Sequence, residues 1–444
     1  MRQVRSHMAI RLLHEVLAAC QRAADAEHAT DAAWDQITPL LRGRTHLLAT
    51  GKASPAMLEA VLSRLPASQL GGIFITCAPE LLEAAHQLTR GFARATTVRP
   101  CDHPLPSPRN VVAAKEALDF VQSRSPQDTL LVLLSGGASA HLCLPVEGIP
   151  LHELIGCTRA LQRSGATIRE LNAVRKHVEQ LKGGGLARAC AAGTLVTAIL
   201  SDVLPATDGT PALDTIASGP TVPDATTFAD AKAILRSRNI CDVPSILAHL
   251  ERGERGDAAE TPKSRDAFSA RTHEIIVGDN AIMLAAAQRS LQSQGVQITQ
   301  VRERVEGEAA EIARDMVQQM RQIRHSPRRS SGPQALLLGG EWTVTATGST
   351  GHGGPSQELA LAALLAMQAD DACSLLAYSS DGIDGPTHAA GAIVSAEMLR
   401  SSSRRSLQVA LDNHDAHHAL AELQALVHTG PTGTNVNHIA ILIW

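Results

Sequence analysis

Residues 130–142 read LLVLLSGGASAHL. A short apolar run closed by turn residues reads as a buried strand, here ending at Ser135. Gly136 and Gly137 follow, and two glycines let the backbone approach a ligand closely. Ser139 then offers a hydroxyl at the start of a helical pattern. Strand, glycine turn, helix is a common way to hold an anion, because free N–H groups and the helix dipole face the turn. The same serine serves equally well as an N-cap after a turn.

Other segments of the N-terminal half repeat this form. HLLAT (46–50) precedes GKASP, and GGIFIT (71–76) and TLVTAILSDV (194–203) are further short apolar runs. Helix-period stretches lie between them, at 151–163 and 168–182. Such alternation predicts α/β architecture, with a parallel, doubly wound, Rossmann-like sheet covered by helices on both faces. The pattern breaks near 250–270, in LERGERGDAAETPKSRDAF, which is charged and lacks periodicity. A second set of strands follows: HEIIVG, VQITQV, QALLLGGE, SLLAYSS and IAILIW. RHSPRRSSGP (324–333) interrupts it as an exposed loop. The expected division is therefore a domain over 1–250, a linker over 251–270 and a second α/β domain over 271–444. The start carries four arginines before Ala23. Ile10, Leu13, Val16 and Leu17 nevertheless make a helical stripe there, so a docked first helix is expected rather than a transit peptide.

The composition narrows the function classes. The 444 residues carry a formal net charge of −4 with both signs interspersed, and aromatics make up 2%. A basic stripe and stacking platforms are both missing, which argues against nucleic acid as partner. The longest apolar run, Leu359–Met367, is too short to span a bilayer. Eight scattered cysteines without a CxxC read as reduced small hydrophobes of a cytoplasmic protein.

Several stretches could carry chemistry. Lys52 follows the first strand, and strand C-termini line the ligand crevice of a doubly wound sheet. ELNAVRKHVEQLKGGGLA (170–187) would put Asn172, Arg175, Lys176, Glu179 and Lys182 on one helix face, ended by glycines 183–185. LSDVLPATDGTPALDTIASGPTVPD (200–224) is a long loop with Asp202, Asp208 and Asp214. SSDGIDGPTHAAG (379–391) holds Asp381 and Asp384, and TGPTGTNVN (429–437) is a third such loop. Carboxylates of this kind hold Mg2+ or abstract a proton. GSTGHGGPSQEL (348–359) is a further glycine turn between TVTAT and a helical pattern. It is neither a Walker A loop nor GxGxxG, since Ser356 stands where the third glycine belongs. No dinucleotide fingerprint occurs elsewhere, which speaks against an NAD-linked reductase. His414 and His418 are four apart in NHDAHH without an evident third ligand, so an exposed turn or helix is the better reading.

In order along the chain, GKASPAM, DHPLPS, SGGASA, NAVRKH, KGGGLA, IASGPTVPD, GGEWTVT, GHGG, QELAL, SSDGIDGPTHAAGA and TGPTGTNVN resemble the glycerate 2-kinase family, also called the MOFRL family. Its members are often labelled hydroxypyruvate reductase. The resemblance covers nearly the whole chain. It implies two α/β domains with the active site in the cleft between them, and ATP-dependent phosphorylation of D-glycerate to 2-phosphoglycerate. It further implies ATP and Mg2+ as cofactors, a small hydroxy acid as partner, no membrane, and leaves a homodimer open. On this resemblance Lys52 is the functional lysine. Ser135, Gly136, Gly137 and Ser139 form the anion-binding turn, and Asn172, Arg175, Lys176 and Lys182 the polar helix. Gly351, Gly353 and Gly354 are candidates for a nucleotide loop. Asp202, Glu341 and Asp381 are candidates for Mg2+ ligation or base catalysis, with Asp202 and Glu341 the metal pair. The chain departs from the family pattern at Pro355, where arginine is usual, and at Ser356, His388, His438, His141 and Gly185. A kinase for a related hydroxy acid and an impaired binding or regulatory paralogue are the alternatives those departures raise.

Overall fold

The computed structural model describes residues 2–206, 209–263, 267–325, 332–346 and 351–444. The chain divides into two compact units, Ala29–Val277 and a second made of Met1–His28 with Gly278–Trp444.

The first unit is built on strands β1 (Thr45–Thr50), β2 (Leu70–Cys77), β3 (Thr96–Pro100), β4 (Thr129–Leu134), β5 (Thr194–Leu200) and β6 (Thr272–Gly278). Their spatial order is β3-β2-β1-β4-β5-β6. The four pairings from β3 to β5 are all parallel. Every residue of β1 and β4 is buried, which is why THLLAT and TLLVLL show no polar alternation. Leu48, Phe74, Leu130, Val132, Leu134, Leu195 and Ile199 share one core cluster with the covering helices. Burial of each such side chain contributes roughly 1.5–3 kcal/mol. The strand order reverses between β1 and β4. The C-terminal ends of strands at such a reversal are where sheets of this kind bind ligands.

The second unit contains β7 (Gln297–Glu308), β8 (Gln334–Thr343), β9 (Ser374–Ser379), β10 (Gly391–Ser395), β11 (Leu426–Val427) and β12 (His438–Ile443), ordered β11-β10-β9-β12-β8-β7. Only β7 and β8 run parallel, and the other pairings are antiparallel. The helix Pro355–Ala366 is buried without interruption from Ser356 to Leu364, so it lies in the core rather than on a surface.

Three boundaries differ from the sequence reading. The first helix, Arg2–Ala24, packs on the helix Asn280–Ser293 and on β9, and so belongs with the C-terminal strands. Its buried stripe is Leu12, Leu13, Val16, Leu17 and Cys20. HEIIVG is the sixth strand of the first sheet, which moves the boundary to 277/278. The expected linker is in part helix, Pro244–Glu254. Glu260 and Thr261 beyond it are tied into the first unit, to His177 at 2.9 Å and Asp224 at 3.0 Å. The loop RHSPRRSSGP lies largely outside the described residues. Of TVTAT (343–347), Thr343 ends β8 and Thr347 lies outside the described residues.

Candidate active site

Four groups converge at the reversal point of the first sheet. The turn after β1 and the turn after β4 are bonded to each other. Lys52 N–H donates to the Gly136 carbonyl (2.9 Å), and Ala53 N–H donates to Ser135 Oγ (3.1 Å). The backbone here has no room for side chains. A Cβ on Gly51 (φ +107°) would lie 2.4 Å from Ser135 Oγ, and one on Gly136 would lie 2.5 Å from Asp202 Oδ2. A Cβ on Gly137 (φ +89°) would lie 3.2 Å from both Lys52 Cγ and His103 Cδ2. The glycine pair is thus a bare platform, with a carboxylate on one side and a lysine and an imidazole on the other. Lys52 is exposed. Burial raises the Asp202 carboxyl above its usual range, opposed by Lys52. Burial first, then Lys52, lowers the His103 imidazole. Behind the platform, buried His141 accepts the Gly51 N–H at Nδ1 (3.3 Å), which puts its proton on Nε2. Burial holds its pKa down at about 4.

Ser139 is the second focus. Its carbonyl accepts from Arg175 Nη2 (3.1 Å) and Lys182 Nζ (2.8 Å), and its hydroxyl meets Ser218 Oγ (2.8 Å). Ser218 in turn donates to Asn172 Oδ1 (2.9 Å). The structure brings Ser139, Asn172, Arg175 and Lys182 together, but the last three do not share one helix. The helix Ile168–Val178 opens on a Thr167/Glu170 capping box and stops before Glu179, which is extended and bridged to Pro145. Nor is this a solvated face. Asn172, Lys176, Glu179 and Lys182 are all buried. Glu179 takes the charge of Arg175 and Lys182, and Lys176 pairs with Asp224 (3.3 Å) and Asp214 (3.5 Å). Lys176 is thereby committed to its carboxylates. Asp208 lies outside the described residues.

Sequence reasoning missed His103 and Ser218 as site residues. Ala217, Ser218 and Gly219 all have positive φ (51°, 62° and 61°). Left-handed backbone at the two non-glycine positions costs roughly 1–2 kcal/mol each. It is held by Gly183 N–H to the Ser218 carbonyl (2.9 Å) and Gly184 N–H to the Gly219 carbonyl (2.7 Å). Only Gly219 signalled this in the sequence.

In the second unit, the loop Gly351–Gly354 leads into the helix Pro355–Ala366, where proline suits the first position because no partner is needed for its missing N–H. The helix N-terminus is not open to a nucleotide phosphate, because the protein supplies its own anion there. Asp384 accepts from Ser356 N–H (2.9 Å), Gln357 N–H (2.8 Å) and Gln357 Nε2 (3.0 Å). A Cβ on Gly354 would lie 2.4 Å from the Asp384 carboxyl carbon, and one on Gly351 2.2 Å from the Asn413 carbonyl oxygen. Close packing accounts for Gly351 and Gly354 without a phosphate. Asp381 accepts from Ser379 Oγ (2.8 Å) and Ile383 N–H (3.1 Å) through Oδ1. Glu341 is exposed on β8. It belongs to the second unit and Asp202 to the first, and among the described residues no group of three or more His, Cys, Asp or Glu could hold a metal ion. His414 and His418 turn to different carboxylates, Glu358 (3.0 Å) and Asp415 (2.6 Å).

A doubly wound sheet with a lysine, a carboxylate and a glycine platform at its reversal point defines a ligand-binding α/β protein. Two family profiles match the chain: Domain of unknown function (DUF4147) over residues 10–251 and MOFRL family over 334–438. Glycerate 2-kinase of Pyrococcus horikoshii is 36% identical, over 91% of this chain and 88% of its own. A putative hydroxypyruvate reductase of Agrobacterium vitis is 37% identical, over 90% and 88%. The crystal structure of glycerate kinase from Thermotoga maritima superposes with a TM-score of 0.85 at 31% identity, covering 97% of this chain and 98% of that one. The chain belongs to the glycerate 2-kinase (MOFRL) family of kinases. No helix among the described residues is long and apolar enough to cross a membrane.

Proposed function

We propose that the protein transfers the γ-phosphoryl group of ATP to the 2-hydroxyl of D-glycerate, giving 2-phosphoglycerate and ADP. The observation that carries this reading is the convergence of Lys52 and Asp202 on the Gly136–Gly137 platform, in a chain whose relatives carry the glycerate kinase name. Phosphoryl transfer asks a protein mainly for positioning and charge neutralisation. Lys52 supplies a mobile cation. Ser135, Gly136, Gly137 and Ser139 supply a turn on which a phosphate oxygen approaches the backbone. Asp202 accepts the hydroxyl proton, since burial raises its carboxyl toward the range of a useful base. Mg2+ would supply neutralisation of phosphate charge, and it usually takes one or two protein carboxylates and keeps its remaining waters.

The test is phosphorus NMR of the product formed from MgATP and D-glycerate. A 2-phosphoglycerate signal is expected. A 3-phosphoglycerate signal would overturn the regiochemistry, and turnover only with another hydroxy acid would overturn the acceptor. Gly136→Ala probes the platform separately. The new methyl must displace Asp202 Oδ2, the free end of a side chain, so the fold should tolerate it. Loss of kcat by about 10²-fold is expected, as for a misplacement of about 1 Å, with a melting temperature close to wild type by calorimetry.

A further inference from the structure

Behind the Ser139 turn, within the first unit, lies a cavity of ≈320 Å3 that takes no part in the reaction described above. Its walls are chemically divided. Leu105 and Pro106 from the segment after β3, Leu154 and Ile155 of the helix Leu151–Arg163, and Leu171 supply apolar lining. This apolar part is lined by branched carbons and a proline ring. The polar part is made by Thr158, Gln162, Arg159, Arg175 and Glu179, of which the last three can carry charge.

The charges do not cancel. Glu179 is fully buried, and both of its oxygens are taken, Oε1 by Arg175 and Oε2 by Lys182. Arg175 spends Nε on Glu179 and Nη2 on the Ser139 carbonyl, which leaves Nη1 without a partner among the described residues. Arg159 has neither a carboxylate nor a hydrogen-bond partner among them. The cavity therefore combines an unpaired guanidinium, a spare guanidinium donor and an apolar wall. A bare phosphate would satisfy the cations and waste the apolar surface. A hydrocarbon would do the reverse, and a polyhydroxylated acid such as glycerate would bury hydroxyls against leucine and isoleucine at a cost.

We propose that this cavity binds a small monocarboxylic acid with an apolar body. Its carboxylate lies against Arg159 and Arg175 Nη1, and its chain lies along Leu105, Leu154 and Ile155. Guanidinium is suited to this role because its fork matches both carboxylate oxygens. The volume lies at the small end of the usual range for ligand sites, which fits an acid of a few carbons rather than a nucleotide.

Hexanoate is the probe, titrated into the full-length protein by calorimetry, with 1-hexanol and sulfate as comparators. One saturable hexanoate site is expected, with both comparators weaker by about tenfold or more, as loss of a charged hydrogen bond or of apolar contact requires. Arg159→Gln should weaken hexanoate by about the same factor. Arg159 is exposed, so its replacement leaves the core intact, and Arg163→Gln, on the same helix but outside the cavity, should change nothing. Hexanol binding as tightly as hexanoate would reduce the cavity to an apolar crevice, and sulfate binding equally would make it a bare anion site. Either result overturns the proposal, as does hexanoate binding that is absent or indifferent to Arg159→Gln. Because the readout is binding, it stands or falls separately from phosphoryl transfer.

Discussion

Lys52→Ala is expected to lower kcat for phosphoryl transfer by roughly 10²–10³-fold or more, the range seen when one preorganised donor to a developing charge is removed. The structural reason is that the lysine has little else to do. Its side chain is exposed, and its stem crosses Gly137 without entering the core. What the fold needs from this position is the backbone N–H to Gly136, which alanine keeps. Stability should therefore change by no more than the few tenths of a kcal/mol typical of surface substitutions. Rapid-quench turnover with MgATP and D-glycerate, beside thermal unfolding, separates the two effects. A variant that unfolds early, or that turns over within about threefold of wild type, would remove Lys52 from the chemistry. Removal of the cation should also shift Asp202 and His103 upward, since Lys52 opposes the charge of one imidazole and favours the charge of one carboxylate. The acid limb of the pH–rate profile should move accordingly.

The first sheet could be read from the sequence because its signals are local. LLVLL followed by two glycines says strand and turn without reference to anything distant, and a strand C-terminus in a doubly wound sheet is where ligands bind. Lys52, Gly136, Gly137 and Asp202 stand at or just after such strand ends, and the family resemblance then marked them as site candidates. Partner choice was not legible. The stripe of the first helix shows that it packs, but an apolar face matches any apolar face, and the chosen one lies beyond residue 278. HEIIVG fits an edge strand of either sheet equally well. The polar helix misled for a different reason. A helical period continues through residue 182, yet Glu179 leaves the helix and is buried with Arg175 and Lys182 around Ser139. Tertiary ion pairing outweighs a weak local propensity. His103 gave no signal because its role comes from a loop that meets Gly137 only in the folded chain.

Asp384 is the clearest case of a residue whose part lies in a distant contact, and it carries the largest expected stability effect. It is 28 residues from Ser356 in sequence, and its carboxylate holds the first N–H groups of the helix Pro355–Ala366. Asp384→Ala should cost about 3 kcal/mol or more, because three buried donors lose their acceptor at once. The loop Gly351–Gly354, packed against Asp384 and Gly385, should loosen with it. The pH dependence has a definite sign. Burial raises the Asp384 carboxyl to about 6, against the hydrogen bonds from Ser356 and Gln357 that lower it. A folded-state pKa above the unfolded 3.8 means that the folded chain holds the proton more firmly. The stability from this group is complete below about pH 4 and is lost as pH rises through about 6. Asp384→Asn cannot titrate, so the stability difference between wild type and this variant should change between about pH 4 and pH 6 and stay constant above, as read by urea unfolding across that range. A difference that stays flat across it would mean that the carboxylate is already ionised at pH 4, held by its helix N-terminus more strongly than burial opposes it.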